Sequence, residues 1–198
     1  MTVAYAGPGH FIDWWFSPAA REASASPLSA RLGYRLWCGE QGLRPDLPRA
    51  FDSGWQQFAA CDAGQLLAAA GLFGALLAAR EGRHGALACL PSGERRWSLA
   101  TAAIQPLARL CRPSGELRCD GLRELACAME AGFPGMWDRL RLSLPAELAA
   151  DAGAALTAFM LRGQVNGAAG GAAARRRLRC WGLCLEQAGR NRIHGDPA

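Results

Sequence analysis

The sequence predicts an all-α protein made mainly of one helical domain. Its 198 residues are 51% hydrophobic and rich in alanine, with only 2 tyrosines and few β-branched residues. Alanine loses no side-chain entropy in a helix, whereas strands are enriched in aromatic and β-branched residues. A chain of this length buries roughly two thirds of its unfolded surface in one domain. We expect a helical domain over residues 1–162, a flexible link over 163–174 and a docking helix over 175–190.

The stretch FIDWWFSPAAR, residues 11–21, places four aromatic rings just ahead of a proline and two alanines. Rings near a chain end need a surface to cover them, because chain ends otherwise fray. The candidate surfaces are the protein's own core, a membrane or another protein. We expect most of these rings to fill the domain's own core, with one or two left for a partner.

The next stretch, PLSARLGYRLWCGEQG, has helical periodicity and ends at Gly42, a residue that often terminates helices. Its apolar residues fall on one side of the predicted helix, namely Leu28, Leu32, Leu36 and Trp37.

The run AGQLLAAAGLFGALLAA is the longest uncharged segment and lies between Asp62 and Arg80. It is shorter than the roughly 20 predominantly apolar residues that span a bilayer, and much of it is Ala or Gly. We therefore expect a central buried helix with Asp62 as its N-cap, and no membrane span.

Two further helices are predicted downstream. SGERRWSLATAAI should be helical until Pro106, which lacks a backbone donor and ends or kinks a helix. DGLRELACAMEAG should begin at Asp120 as cap and end at Gly132. Its expected core face consists of Leu122, Leu125, Ala126 and Met129.

The stretch RLRLSL, residues 139–144, alternates polar with apolar residues and is the one place with a strand period. It is too short to imply a sheet, so we expect at most one short extended segment. Pro145 then opens a helix that ends at Gly163. Its expected apolar face consists of Leu148, Ala152, Ala155, Leu156 and Phe159.

The segment GQVNGAAGGAAA, residues 163–174, is the one low-complexity stretch and has the composition of a flexible link. The helix after it carries an apolar stripe of Leu178, Trp181, Cys184 and Leu185. An isolated helix of about 12 residues is marginal in water, so this helix needs a surface to dock on. The surface is either the protein's own body, which we favour, or a partner.

The net charge of +5 comes entirely from arginine, since the sequence contains no lysine. A basic balance is typical of proteins that bind nucleic acid or anionic lipid, and ARRRLRC, residues 174–180, could neutralise several phosphates. Most arginines, however, are scattered singly, and three consecutive ones spread around a helix. A small basic helical nucleic-acid-binding protein is therefore kept as an alternative.

Catalytic and metal-binding patterns are weak. A Ser, Cys or Thr nucleophile needs a nearby base, and the sequence offers only His10, His84 and His194, none in a convincing setting. The nearest approach to a zinc site is Cys180 and Cys184 with His194, which falls short of four well-spaced ligands. We expect no catalytic residue, no cofactor, no metal and no small-molecule substrate.

The compartment is predicted from the start of the chain and from its cysteines. No basic region followed by an apolar core and a cleavage site is present at the N-terminus, so we expect a cytoplasmic protein. The sequence has 8 cysteines but no C-x-x-C pair, and most lie among apolar neighbours. Free core thiols are therefore expected rather than disulfides.

Two stretches carry a resemblance to a known family. The opening WWFSPAAR resembles the F-x-P-A start of the SctK family (the YscK, PscK and OrgA/MxiK group), cytoplasmic accessory proteins of bacterial type III secretion systems. The later GMWDRLRLSLP, residues 135–145, is similar to that family's Trp followed by an R-L-x-L-x-L-P stretch. The Gly/Ala link over 163–174 and the lack of lysine depart from the family.

The resemblance implies a largely α-helical adaptor of the sorting platform, at the cytoplasmic face of the inner membrane. It would link the cytoplasmic domain of the ring protein SctD to the pod protein SctQ, and through SctQ indirectly to SctL and the ATPase SctN. An adaptor needs surface anchors, and aromatic residues and Arg are enriched at interface cores. The candidate interface residues are Trp14, Trp15, Phe16, Arg175, Arg176, Arg177 and Trp181.

Overall fold

A computed structural model describes residues 8–20, 27–163 and 171–194. These residues form α-helices and short 3₁₀ helices and contain no strand, which confirms the all-α prediction. The α-helices are α1 (Pro8–Ala20), α2 (Pro27–Gln41), α3 (Ala63–Arg80), α4 (Ser92–Ile104), α5 (Leu117–Gly132), α6 (Met136–Leu140), α7 (Ala146–Leu161) and α8 (Gly171–His194). The 3₁₀ helices are Ser53–Ala60, His84–Cys89 and Arg141–Ser143.

Helix α3 lies at the centre, packed against α4, α5 and α8. Its N-terminus is capped as predicted, since the Asp62 side chain accepts a hydrogen bond of 2.8 Å from the Gln65 backbone amide. By length and composition Ala63–Arg80 is also apolar enough to cross a membrane, and 56% of that segment is buried inside the protein. In this fold α3 serves as the central core helix.

Glycines let α3 and α5 approach each other very closely. A Cβ atom on Gly74 would lie 1.9 Å from the Leu117 carbonyl oxygen, and one on Gly121 would lie 1.9 Å from the Ala70 carbonyl oxygen. No side chain fits at such distances, so both positions require glycine. The predicted core face of α5 is fully buried on this side of the helix.

Helix α8 docks on the protein's own body. The Trp181 ring is fully buried and stacks on Phe73 of α3, with ring centroids 4.1 Å apart and planes 3° from parallel. This contact decides between the two docking surfaces left open by the sequence. The helix begins at Gly171, so residues 171–174 are helical and not part of a flexible link, and it continues beyond residue 190. The rest of the predicted link, residues 164–170, lies outside the described residues.

The cap of α5 differs from the prediction. Glu116 is the N-cap, and its carboxylate accepts from the backbone amides of Arg118 and Cys119 at 3.1 and 2.9 Å. Asp120 instead lies buried within the first turn, where it pairs with Arg83 and Arg109. The prediction of Asp120 as cap is therefore wrong, because the tertiary ion pairs hold its carboxylate inside.

The stretch over 139–144, where we expected at most one short extended segment, is not extended. Residues 136–140 form α6 and residues 141–143 continue as a 3₁₀ turn. The alternation does not sort residues into a buried and a solvated side, because Arg139 is itself buried. The Ser143 hydroxyl also donates to the Leu140 carbonyl at 2.8 Å and closes a helical turn.

The leucine side of α2 is not the side that packs against the body. Tyr34 and Cys38 are buried, whereas Leu32 and Leu36 are 61% and 60% exposed. The two leucines share one side of the helix, as predicted, but this side is exposed. The side chain of Leu28, predicted on the same side, lies outside the described residues. In α7, by contrast, Ala152 and Phe159 of the predicted face are buried as expected.

Candidate protein interface

The aromatic residues of α1 fall into an inner and an outer set. Phe11 and Trp15 are buried, and their ring centroids lie 5.6 and 5.5 Å from that of Phe133. Trp14 is half-buried against the core, while Phe16 is 38% exposed and contacts Tyr34 of α2. Their i, i+4 spacing puts Phe11 and Trp15 on one helix face, which is the face that packs.

Arg139 of α6 joins this aromatic cluster to α2. Its guanidinium carbon lies 4.0 Å from the centroid of the Trp15 ring, a cation–π contact. The same group donates to the Tyr34 hydroxyl at 2.6 Å and to the Arg44 carbonyl at 2.7 Å. Within the described ranges Arg139 forms no ion pair, and a ring face and two oxygens hold its charge. The two stretches quoted in the sequence analysis therefore meet at Trp15 and Arg139.

Several large apolar side chains remain exposed on the surface. Besides Leu32 and Leu36 of α2, they include Ile104 at the end of α4, 73% exposed, and Leu161 at the end of α7, 84% exposed. Single exposed apolar residues are ordinary on protein surfaces. Leu32 and Leu36 of α2, like Ile12 and Phe16 of α1, lie four residues apart and share one helix face, and the α2 pair is the more exposed of the two.

Three of the seven candidate interface residues are not on the surface. Trp15, Arg177 and Trp181 are buried in the protein's own core, which corrects their prediction as surface anchors. Arg177 and Trp181 lie on the same face of α8 as Cys184 and Ala188, and this face packs inward. Among the other four, Phe16 and Arg175 are exposed and Trp14 and Arg176 are half-buried.

The basic start of α8 is used mostly within the fold. The buried Arg177 side chain donates to the Ala108 carbonyl at 2.9 Å, and Arg176 donates to the Pro106 carbonyl at 3.5 Å. Burial lowers the pKa of Arg177 below the usual arginine value. The three consecutive arginines therefore do not form one continuous basic surface.

A cleft of about 410 Å³ lies beside Arg177, between the Ser53–Ala60 turn, the end of α5 and the start of α8. Phe51, Trp55 and several alanines line it, and its charged groups are Asp52 and Arg177. The lining thus lacks the nucleophile and adjacent base that acyl-transfer chemistry requires. Asp52 in turn caps the 3₁₀ helix through the Gly54 amide at 2.9 Å.

A buried charge cluster ties the loop before α5 to the end of α3. Asp120 accepts from the Ser114 hydroxyl at 2.8 Å and pairs with Arg83 at 3.0 Å and Arg109 at 2.9 Å. Burial alone would raise the pKa of Asp120, but the Ser114 hydrogen bonds and the two guanidinium groups outweigh it and hold that pKa below its ordinary value. Glu81 pairs with both arginines from the other side. These contacts hold the loop before α5 against the end of α3, which is a structural role.

The cysteines are free thiols, as predicted, and five of the eight are buried. Burial raises the pKa of the thiols of Cys180 and Cys184, which keeps them protonated. Protonated thiols are poor nucleophiles and poor metal ligands. The described residues contain no group of three or more potential metal ligands, and the side chain of His194, named above with the two cysteines, lies outside the description.

Comparison with known proteins finds no family model, no curated protein and no solved structure that matches this chain. The contact between the two resembling stretches and the exposed leucines of α2 are therefore the features on which a functional proposal can rest. Sequence reasoning missed the roles of Tyr34 and Arg139. It did place Leu32 and Leu36 together on one side of a helix.

Proposed function

We propose that the protein is a non-enzymatic adaptor of a bacterial type III secretion sorting platform. It would link the cytoplasmic domain of SctD to SctQ, and through SctQ indirectly to SctL and the ATPase SctN. Its place would be the cytoplasmic face of the inner membrane.

The main support is the contact between Trp15 and Arg139. These residues belong to the two stretches that resemble the SctK family, and they are far apart in sequence yet 4.0 Å apart in the fold. Arg139 is a residue of the second motif, and Trp15 directly precedes Phe16, the first residue of the F-x-P-A motif. The contact therefore brings the two resembling stretches together in the fold.

The surface of the protein also suits an adaptor. Phe16 is exposed near the Trp15 contact, and α2 carries two exposed leucines on one helix face. Exposed apolar residues grouped in this way are typical of protein-binding surfaces.

A bridging experiment tests the proposal. Immobilised SctD cytoplasmic domain should retain SctQ from the same operon only when this chain is added, and the chain should bind each protein separately. The chain carrying Leu161→Ser, a change at an exposed leucine far from α1 and α2 in sequence, is the control and should bridge equally well. Absence of binding to both proteins, with secretion intact in a deletion strain, would refute the adaptor.

The nucleic-acid alternative is less well supported. Its motivating residues diverge in the fold, because Arg177 is buried and Arg176 contacts a carbonyl, leaving Arg175 as the exposed member of the three. A gel-shift assay at low salt tests it directly, since phosphate contacts weaken steeply as salt rises. Retention that falls with salt would favour this alternative over the adaptor.

A further inference from the structure

The outer face of α2 is an apolar surface that the described part of the chain does not cover. We define it by Leu32, Leu36 and Gly39, with Arg31 and Arg35 along one edge. The two leucines are 61% and 60% exposed, although leucine is among the most often buried residues. Tyr34 and Cys38, on the opposite side of the helix, already provide its contact with the body.

The shape of this face suits another helix. Leu32, Leu36 and Gly39 follow i, i+4, i+7 spacing, the seam along which two helices pack. A Cβ atom on Gly39 would meet nothing within 4 Å, so the space beside Leu36 is open. An approaching side chain can enter that space and bring the two helix axes close together.

The charges along the face indicate the kind of helix. Arg31 and Arg35 are both exposed on one edge of the seam. Arg35 pairs with Asp46 at 3.2 Å, but both side chains are well exposed, so the pair is weak and open to exchange. Glu40 lies on the other edge, near the end of the helix. The face is therefore apolar along its middle and positive along most of one side.

This charge distribution disfavours a second copy of the chain. In an antiparallel two-fold pair each edge meets its own copy, so Arg31 and Arg35 would oppose the same arginines. In a parallel two-fold pair, the edge with Arg31 and Arg35 would lie beside the Glu40 edge of the other copy. Glu40 lies near one end of the helix, so both arginines would share one carboxylate. A partner with acidic residues avoids both problems.

We propose that the outer face of α2 binds an amphipathic helix of a partner protein, one whose apolar ridge is bordered by Asp or Glu. The mode is a helix laid along a helix, with leucines as anchors and arginines setting orientation. This inference rests on the proposed function only in requiring a protein partner, and it specifies the segment that the partner contributes.

A pair of synthetic helical peptides tests the inference without assuming the partner's identity. Both carry the same leucine seam, one with Glu and the other with Lys along the edges. The wild-type chain should bind the Glu peptide at least about tenfold more tightly than the Lys peptide, with an affinity that falls as salt rises. Equal binding of the two peptides, or binding of neither, would overturn the inference.

Variants locate the binding to this face. Leu32→Ser with Leu36→Ser should weaken binding of the Glu peptide at least about tenfold, and Arg31→Glu with Arg35→Glu should abolish the preference for it. Leu161→Ser and Ile104→Ser, at residues more exposed than either leucine, are the controls and should change neither result. Unchanged binding by the double leucine variant would overturn the proposed site.

Two measurements identify the other occupants of this face. If light scattering detects a dimer of the wild-type chain and a monomer of the double leucine variant, the occupant of this face is a second copy and not a partner helix. A melting temperature lowered several degrees by the same variant would show that the chain's own residues cover the leucines. If the Glu peptide binds as expected but SctD and SctQ do not, the surface stands and the proposed function fails.

Discussion

The central helices and the two N-terminal helices are built by different means. Between α3 and α5 the backbones nearly touch at Gly74 and Gly121, and Trp181 of α8 stacks directly on Phe73 of α3. Helices α1 and α2 are held instead by large rings and by one buried arginine, Arg139, shared between Trp15 and Tyr34.

The two regions differ in how many of their apolar residues are buried. In α3, ten residues are buried in the protein's own core. In α2 one face packs and the opposite face keeps Leu32 and Leu36 exposed. Helix α3 therefore places most of its residues in the protein's own core, whereas α2 keeps one apolar face exposed.

The largest expected effect is in the central helices. Trp181→Ala removes a fully buried ring, and large-to-small changes of this kind cost about 4 kcal/mol of unfolding free energy. Leu183→Ala, at an exposed residue of the same helix, is the matched control and should cost well under half as much. Urea melts monitored by circular dichroism measure both. Similar losses for the two variants would mean that α8 is not docked as described.

The buried charge cluster gives the next largest effect. Asp120→Asn leaves Arg83 and Arg109 without their shared carboxylate, and breaking a buried pair in this way costs about 3 kcal/mol at neutral pH. Asp46→Asn, which removes an exposed partner of Arg35, is the control and should cost no more than about 0.5 kcal/mol.

The same variant should also change the pH dependence of stability. The folded-state pKa of Asp120 lies below its ordinary value, so its contribution is complete above about pH 4, the ordinary Asp pKa, and is lost as the pH falls through the folded value. The difference in unfolding free energy between wild type and Asp120→Asn, measured by urea melts, should therefore become smaller as the pH drops below about 4. A difference that stays constant down to pH 2 would contradict the lowered pKa of Asp120.

Close helix packing is tested by two glycines of α3. Gly74→Ala places a methyl group 1.9 Å from the Leu117 carbonyl and should cost about 2 to 3 kcal/mol, because α3 and α5 must separate. Gly71→Ala, where a Cβ meets nothing within 4 Å, should stabilise the protein by about 0.5 to 1 kcal/mol. Thermal melts should show a lower melting temperature for Gly74→Ala and a higher one for Gly71→Ala. Shifts in the same direction would contradict the close contact.

The smallest effect is expected on α2. Leu32→Ser with Leu36→Ser should change the unfolding free energy by no more than about 0.5 kcal/mol per residue, because exposed positions contribute little to stability. Urea melts of this variant and of Leu161→Ser, the same change at another exposed leucine, measure the effect. A larger loss of unfolding free energy in the α2 variant would contradict the difference between the central helices and the N-terminal pair.

Local sequence rules predicted the central helices well. The cap at Asp62 depends on a hydrogen bond to a residue three positions away, and the stop of α4 before Pro106 depends on one missing donor. Both are short-range effects that a sequence displays directly. The burial of the α3 run likewise follows from its composition.

The cap of α5 and the packing side of α2 depend on distant partners. Glu116 and Asp120 are both suitable caps, and only the positions of Arg83 and Arg109 decide which carboxylate turns inward. Helix α2 has two apolar faces, and Tyr34 faces inward where the hydroxyl can accept from Arg139. Neither choice is visible until residues far apart in sequence are brought together.

The position of α8 in the chain has a consequence for synthesis. Trp181 and its neighbours cover Phe73 of α3, yet they are made more than a hundred residues later. Until α8 has been synthesised, the side of the apolar helix α3 that carries Phe73 lacks this cover, and exposed apolar surface of this kind is prone to aggregation. The interval between the synthesis of α3 and that of α8 is therefore the period in which the growing chain is most exposed to aggregation through this surface.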